Sequence, residues 1–344
     1  MKKILFASTA LVATAGVAAA DVSFGGYGRF GLGYEENRGD TPGQEDTVIV
    51  SRFRMNIDAS AETDAGVKFS ARVRMQADEQ AKNNVPAAVG DTVTGGEAGA
   101  AGLNGARFSV EYGGLRVDVG NVAGAIDNLP NYYGNEPGLE NFIGQYAGAN
   151  YGFLAYSSGG AGSNGVYARY AVGDFAIAAS YDTADVVTAV VVPAGATDAV
   201  ATAATSGDRW DIHAAYTFGN ITAALAYGET DVAGAGADLD MTVLTLGGTW
   251  GAFNGTLIVG DESTGTANTS DTFYGISAAY DVSSATTLTF AYGDGSGDGD
   301  TRHVGLGVIH DLGGGVSLRG GIGEEKVGNA DGTMKADFGA QFSF

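Results

Sequence analysis

The last eleven residues of the chain, Met334 to Phe344, alternate strictly between two kinds of side chain. Apolar residues occupy every second position and end on the terminal Phe344, while residues such as Lys335 and Asp337 fill the gaps. A period of two places apolar groups on one face of a β-strand and polar groups on the other. Strands of about ten residues with this pattern suit a closed membrane barrel, with lipid outside and water inside.

The amino-terminal residues have the pattern of a secretory signal peptide. Lys2 and Lys3 precede an apolar run from Ile4 to Val17, and residues 18–20 are three alanines that suit a cleavage site. The run is shorter than the ~20 apolar residues that a membrane-spanning helix needs. We therefore predict that residues 1–20 are removed and that residues 21–344 form one barrel.

Composition narrows the class of protein further. The chain has no cysteine, so an exported form must be held together without disulfides, and a closed strand ladder would do this. Gly is abundant at 57 residues, which disfavours helices, and an aromatic content of 10% with only 5 Pro disfavours disorder. Loss of Lys2 and Lys3 would change the formal net charge from −22 to −24, and so acidic a chain disfavours nucleic acid as a partner.

Alternating segments recur along the whole chain and predict sixteen antiparallel strands. They lie at 22–35, 47–59, 66–78, 105–112, 115–120, 165–172, 174–182, 208–218, 221–229, 239–250, 253–260, 271–280, 286–293, 301–310, 316–323 and 333–344.

The predicted connections alternate between short turns and long loops, as in bacterial outer-membrane barrels. The longest loop spans residues 121–164. Within it, residues 149–158 also look strand-like. Counting them would give an odd number of strands, whereas single-chain bacterial barrels have an even number, so we assign them to the loop.

Aromatic residues cluster near the predicted strand ends, which favours two girdles at the lipid–water interfaces. Tyr112, Tyr216, Phe218, Trp250 and Tyr280 flank short turns, and Tyr34, Tyr181, Tyr227 and Tyr292 flank long loops. A soluble β-sandwich with aromatic strand caps is the alternative, and the signal peptide argues against it.

Basic residues concentrate on the polar face of the first strands. Because arginine on the lipid face costs ~2–4 kcal/mol near the membrane midplane, we expect these side chains to point into the lumen. The predicted basic wall comprises Arg29, Arg52, Arg54, Arg72, Arg74, Arg107 and Arg116.

A hairpin centred on Thr63 would set the register of the second and third strands. That register pairs Asp58 with Lys68, and it sets Arg54 opposite Arg72 and Arg52 opposite Arg74. Like charges directly across two strands destabilise a sheet. Such an arginine ladder therefore predicts a functional demand for positive charge.

The counter-charge is predicted in loop 121–164, whose acids are Asp127, Glu136 and Glu140 and which has no Lys or Arg. Folded into the lumen, this loop would narrow the bore and oppose acid to base. Such a constriction would sort solutes by size and charge. The alternative is that the arginines bridge neighbouring strands while the loop covers the outside. Unchanged conductance in an Arg54→Ala, Arg72→Ala variant would favour the alternative.

Several loose motifs together carry a resemblance that covers essentially all of residues 21–344. They are the start Asp21–Gly26, the strand Ser51–Arg54, and Ala214–Asn220, Gly275–Asp281, Asp311–Gly315 and Ala336–Phe344. In these the chain resembles the general diffusion porins of alphaproteobacteria. The resemblance implies a trimeric sixteen-stranded barrel in the outer membrane, an inward-folded third loop, and acid facing base at the eyelet. It also implies calcium near that loop, although three acids are few for such a site.

Other motifs are weak. Gly26 to Gly31 fits G-x-G-x-x-G but continues as a strand, so no dinucleotide site is expected. Gly293 to Asp300 resembles a single calcium-binding repeat, which Asp298→Ala would test. His213, His303 and His310 are isolated and are read as pore-lining or turn residues rather than as parts of a metal or Ser/His/Asp site.

We therefore expect an outer-membrane general porin, not an enzyme, through which ions and small hydrophilic solutes diffuse without a cofactor. Its expected partners are lipid, lipopolysaccharide and two further copies of itself, with cations favoured weakly by the net charge. A substrate-specific channel and an outer-membrane barrel hydrolase are the alternatives. Planar-bilayer recording with sugars of rising size separates the three.

Overall fold

The computed structural model describes residues 21–78, 102–182, 208–231, 239–263, 270–297 and 300–344. The predicted signal peptide and parts of the predicted outer loops lie outside the described residues. The strands are β1 (Asp21–Glu35), β2 (Thr47–Glu62), β3 (Lys68–Asp78), β4 (Arg107–Tyr112), β5 (Leu115–Gly120), β6 (Gly165–Val172), β7 (Phe175–Asp182), β8 (Arg209–Phe218), β9 (Ile221–Thr230), β10 (Leu239–Trp250), β11 (Phe253–Ser263), β12 (Ser270–Ser283), β13 (Thr286–Gly295), β14 (Thr301–Gly313), β15 (Val316–Val327) and β16 (Thr333–Ser343).

These sixteen strands form one closed antiparallel barrel, which confirms the predicted fold. Each strand pairs with its sequence neighbours, and β1 pairs with β16 from Tyr27↔Ser343 to Glu35↔Lys335. Phe344 completes the closure, because its backbone N–H and C=O both bond to Gly26. The described residues include one short 3-10 helix, Arg38–Asp40, and no helix long and apolar enough to cross a membrane. Residues 149–158 form no strand, as predicted.

Several short turns depend on glycine in the left-handed region. Gly173, Gly219 and Gly251 have φ of +55°, +63° and +62° and each opens a two-residue turn. A positive φ at this position matches the twist of the flanking strands, and glycine adopts it without a steric penalty. The abundance of glycine therefore serves the hairpins at this end of the barrel.

The predicted register of β2 and β3 is wrong. Asp58 lies opposite Arg72, not Lys68, and the predicted Arg54–Arg72 and Arg52–Arg74 pairs do not form. The reason is a displaced turn: Glu62 pairs with Lys68, and residues 63–67 make the reversal with Gly66 at φ +79°, so its centre lies two residues later than predicted. Every side chain stays on its predicted face, since the slip is an even number of residues.

The outward face is apolar on every strand and carries aromatics near the strand ends. Tyr112, Tyr216, Trp250 and Tyr280 are half exposed beside short turns, and Tyr34 and Tyr181 are exposed at the other end. All seven arginines of the predicted basic wall alternate with outward apolar neighbours, so they point inward. The two-faced pattern that predicted the barrel is therefore present around it.

Loop 121–164 folds inside the barrel, and the main apolar cluster lies there. Ile126, Leu129, Tyr132 and Tyr151 of the loop are buried against the inner face of β8–β12. That inner face contributes Ala215, Ala224, Ala226, Met241, Val243, Ile258 and Phe273. The lumen is thus divided, with the loop covering the inner wall at β8–β12 and leaving open space beside β2–β4.

Candidate functional site

Two carboxylates of the barrel wall hold the loop in place. Asp337 on β16 is buried and accepts hydrogen bonds from the backbone N–H groups of Leu139, Glu140 and Asn141 at 2.7–2.9 Å. Glu262 on β11 is also buried and accepts from the backbone of residues 150 and 151 at 2.7–2.9 Å. Bonds to charged acceptors are stronger than neutral ones, so these two points fix the loop's position in the lumen.

Glycine lets the loop approach the wall at main-chain distance. A Cβ on Gly275 of β12 would lie 1.9 Å from the carbonyl oxygen of Gln145. A Cβ on Gly307 of β14 would lie 2.7 Å from the backbone nitrogen of Gly138. The width of the bore therefore depends on glycine at these two wall positions, because any side chain there would push the loop away from the wall.

The loop and the basic wall enclose a cavity of ≈ 500 Å³. It is lined by Arg54, Arg72, Arg74 and Arg107 from β2–β4 and by Asp127, Tyr133, Glu136, Tyr146, Tyr156 and Ser158 from the loop. Four of the seven predicted arginines and two of the three predicted acids therefore meet at one place. This is the candidate constriction.

Arg72 forms a close two-point ion pair in this cavity. Its Nε and Nη2 donate to the two carboxylate oxygens of Asp58 at 2.6 and 3.0 Å. Arg54 Nε donates to Gln76 at 2.7 Å, and Arg74 Nε donates to Asn56 at 2.9 Å. Across the β2–β3 ladder, the guanidinium groups of these three arginines are thus oriented by one carboxylate and two amide oxygens.

Tyr156 is a residue of the candidate site that the sequence analysis missed. Its ring lies 4.6 Å from Arg74 Cζ and 5.5 Å from Arg107 Cζ, both within cation–π range. Tyr27 on β1 plays a similar part for Arg54, at 5.2 Å. No spacing in the sequence brings a loop tyrosine to two strands that are distant along the chain.

The loop acids are held by tyrosine hydroxyls. Tyr133 donates to Asp127 Oδ1, and Tyr146 donates to Glu136 Oε1 at 2.8 Å. Burial, followed by the neighbouring carboxylate, raises the pKa of both tyrosines, so the hydroxyls remain donors. The surrounding protein displaces part of the hydration of Glu136 and raises its pKa, while Tyr146 and Arg29 act in the opposite direction.

Glu140 lies beside arginines instead of across from them. Its Oε1 is 2.6 Å from Arg29 Nη2 and 2.7 Å from Arg52 Nη2, and its side chain is 3 % exposed. Arg29 and Arg52 are directly opposite in the β1–β2 register, so Glu140 separates two like charges. Arg29, Arg52 and Glu140 line an adjoining cavity of ≈ 330 Å³. Arg319 of β15 also lines it, and the sequence analysis did not predict this residue.

Arg116, the seventh predicted arginine, does not line the constriction cavity. It lies on β5 beside the turn at Gly113, where it pairs with Asp118 at 2.9 Å and Glu111 at 3.4 Å. It also faces Arg169 of β6. Its inward orientation was predicted, but among the described residues it contacts those near the turn at the end of the strand and none of the loop acids.

The three histidines do not come together. His213 Nδ1 bonds the carbonyl of Ala125 at 2.6 Å, His310 bonds Thr286 at a turn, and His303 is buried beside Phe142. In the described part of the chain, no three His, Cys, Asp or Glu residues form a group suited to a metal ion. Asp298, in the single calcium-like motif, lies outside the described residues.

Comparisons with known proteins agree with this architecture. A family model described as Gram-negative porin matches residues 7–330. A porin of Fuscovulum blasticum is 34% identical over 335 residues, which covers 94% of this chain and 100% of that porin. Solved structures of two mutants of the Rhodopseudomonas blastica porin align with a TM-score of 0.71 at 28% and 29% identity, each over 94% of this chain and 100% of that chain.

Proposed function

Because the chain belongs to the Gram-negative porin family, we propose that a charged constriction selects the solutes that cross its lumen. The protein is a passive channel of the outer membrane, through which ions and small hydrophilic solutes diffuse. The proposed constriction lies where the arginines of β2–β4 face Asp127 and Glu136 of loop 121–164. Solutes move down their own gradients there, so neither catalysis nor a cofactor takes part.

The observation that carries the proposal is the ≈ 500 Å³ cavity with guanidinium groups on the strand side and carboxylates on the loop side. Opposite charges across a narrow aqueous gap create a transverse field, which low-dielectric walls concentrate. A solute that enters must give up part of its hydration and align its own dipole with this field. The loop limits the size of the solutes that pass. The balance of positive and negative charge across the cavity determines which solute charge is favoured.

That balance is less basic than the number of arginines suggests. Asp58 compensates Arg72, and Glu140 is shared by Arg29 and Arg52 in the adjoining cavity, where it offsets one of their two charges. Arg74 and Arg107 have no carboxylate within 4.0 Å among the described residues, so their charges contribute to the positive field of the cavity. With a formal net charge of −24 once Lys2 and Lys3 are removed, we propose that cations enter slightly more readily than anions.

We also propose that the channel is a homotrimer in contact with lipopolysaccharide. The resemblance of motifs in residues 21–344 to those of the trimeric general diffusion porins supports this assembly. The exposed apolar face and its aromatic residues support a setting in lipid. Light scattering in detergent should give three times the mass of the mature chain, and a monomer mass would refute the trimer.

Reversal potentials in a KCl gradient across a planar bilayer test the constriction. The double variant Arg74→Gln, Arg107→Gln should increase the permeability of K⁺ relative to Cl⁻, because positive field is lost. The double variant Asp127→Asn, Glu136→Gln should change the ratio in the opposite direction. Arg302→Gln is the matched control, since Arg302 pairs with Glu324 on the outward face of β14. If both double variants kept the wild-type potential, the proposed constriction would be wrong.

A further inference from the structure

We propose that the basic side of the constriction cavity is a binding site for a small oxyanion of the phosphate type. The site consists of Arg74, Arg107 and Tyr156. The inference rests on the proposed function, because it names the solute class that the same basic side would retain. Phosphate-bearing solutes would then be concentrated at the proposed constriction.

Arg107 supplies the first argument. Its guanidinium makes no hydrogen bond and no ion pair within the described residues, and its Nε is buried without an acceptor. It faces Arg72 across the β3–β4 ladder, and Arg72 is already paired with Asp58. A guanidinium has five N–H donors, and leaving charged donors unpaired away from bulk water is costly. An anion in the cavity would provide the acceptor that the protein does not.

Arg74 supplies the second. Its Nε and Nη1 donate to neutral oxygens only, Asn56 Oδ1 at 2.9 Å and Ser158 Oγ at 2.8 Å. These bonds fix the guanidinium plane without neutralising its charge. Arg74 and Arg107 are therefore two oriented cations that share one cavity.

Tyr156 holds the two cations together. Its ring lies within 4.6 and 5.5 Å of their Cζ atoms, and its buried hydroxyl has no hydrogen-bond partner in the described structure. Stacking reduces the freedom of both guanidinium groups before any solute arrives, which lowers the cost of binding. A small rotation of the ring would also make its hydroxyl a third donor.

The donor set favours a tetrahedral oxyanion over chloride. Planar guanidinium groups match two oxygens at a time, and phosphate offers enough oxygens for two guanidinium groups and a hydroxyl together. Asp127 and Glu136 line the same cavity and repel an anion, which keeps binding weak enough for release into the pore. With ≈ 500 Å³ available, an organic group attached to the phosphate also fits.

The test is single-channel recording of the full-length protein in planar bilayers. Inorganic phosphate is added to KCl at constant ionic strength, with sulfate in a parallel series. In the wild type, phosphate should lower the chloride current with a saturable dependence on concentration. Arg74→Gln and Arg107→Gln should each raise the half-saturating phosphate concentration about tenfold, as expected for loss of a charge-assisted hydrogen bond. Arg302→Gln should behave as the wild type does.

Two conservative variants guard against a folding defect. Arg107→Lys keeps the positive charge but loses the planar fork, and Tyr156→Phe keeps the ring but loses the hydroxyl. Both should weaken the phosphate effect several-fold in channels that remain conductive. A current that merely follows bulk conductivity, or an effect equal in the wild type and Arg107→Gln, would overturn the oxyanion site.

The same recordings separate this inference from the proposed function. If Arg107→Gln shifts the KCl reversal potential but phosphate has no saturable effect, the oxyanion site is wrong and the charged constriction stands. If phosphate saturates the wild-type channel while the charge variants leave the KCl reversal potential unchanged, the site stands and the constriction does not.

Discussion

Asp58 of β2 and Arg72 of β3 form a two-point ion pair inside the barrel, with Nε–Oδ1 at 2.6 Å and Nη2–Oδ2 at 3.0 Å. The pair removes one arginine from the effective charge of the constriction. Its geometry follows from the β2–β3 register, which sets the two residues directly opposite. The charge of the pore thus depends on strand pairing as much as on composition.

Removing the carboxylate of this pair should make the channel more anion-permeable. Asp58→Asn leaves Arg72 without its counter-charge at the cavity, so the K⁺/Cl⁻ permeability ratio should fall. Reversal potentials in a KCl gradient measure this. Asp174→Asn, at the exposed turn between β6 and β7, makes the same change in net charge far from the cavity and should shift the ratio less. Equal shifts would mean that net charge alone controls selectivity.

Asp337→Asn should loosen the inward loop. The variant loses a charged acceptor for three backbone N–H groups, and each hydrogen bond to a charged group contributes roughly 1.5–3 kcal/mol. Hydrogen exchange at Leu139, Glu140 and Asn141 should quicken, and the open-channel current should become noisier. Asp331→Asn, in the exposed connection before β16, is the matched control. Unchanged exchange would show that other contacts suffice to hold the loop.

Selectivity should begin to change with acid above the usual titration range of a glutamate. The pKa of Glu136 is raised by loss of hydration, so as pH falls its carboxylate takes up a proton at a higher pH than that of a free glutamate does. The preference for K⁺ should therefore begin to fall at a pH above the usual pKa of a glutamate. Glu136→Gln should abolish that part of the change. The folded channel binds this proton more tightly than the unfolded chain does. The group therefore favours folding at low pH and costs stability as pH rises through its folded pKa.

A methyl group on the inner wall should move the loop into the bore. Gly275→Ala places a Cβ 1.9 Å from the carbonyl oxygen of Gln145, so the main chain of the loop must retreat from β12. Single-channel conductance should drop while the β-sheet circular dichroism stays the same. Gly152→Ala is the control, because a Cβ there meets nothing within 4 Å. A conductance equal to that of the wild type would show that the loop adapts without narrowing the pore.

The barrel was predictable because its physics is local. Period-two alternation fixes which face of each strand meets lipid, and short glycine turns mark where strands reverse. Register is less local: the turn at residues 63–67 is centred two residues later than predicted, with Gly66 in the left-handed region. The inward orientation of Arg72 was predicted correctly, but its cross-strand partner is Asp58 and not Arg54.

The candidate site was predictable in its residue types and only partly in its contacts. Arg54, Arg74, Asp127 and Glu136 share the expected cavity, whereas Glu140 sits between two arginines. The resting place of the loop had a signal that went unused, since β8–β12 are apolar on both faces where Ile126 and its neighbours pack. The position of Tyr156 had none, because its contacts depend on the folded path of a long loop.

The bare backbone at Gly275 and Gly307 has a consequence for how such a pore can change over evolutionary time. Because the two main chains are in direct contact there, adding a single carbon atom to the wall must displace the loop. The aperture can therefore change in very small steps. Sieving could be retuned by substitutions behind the loop, without altering any group that a passing solute touches.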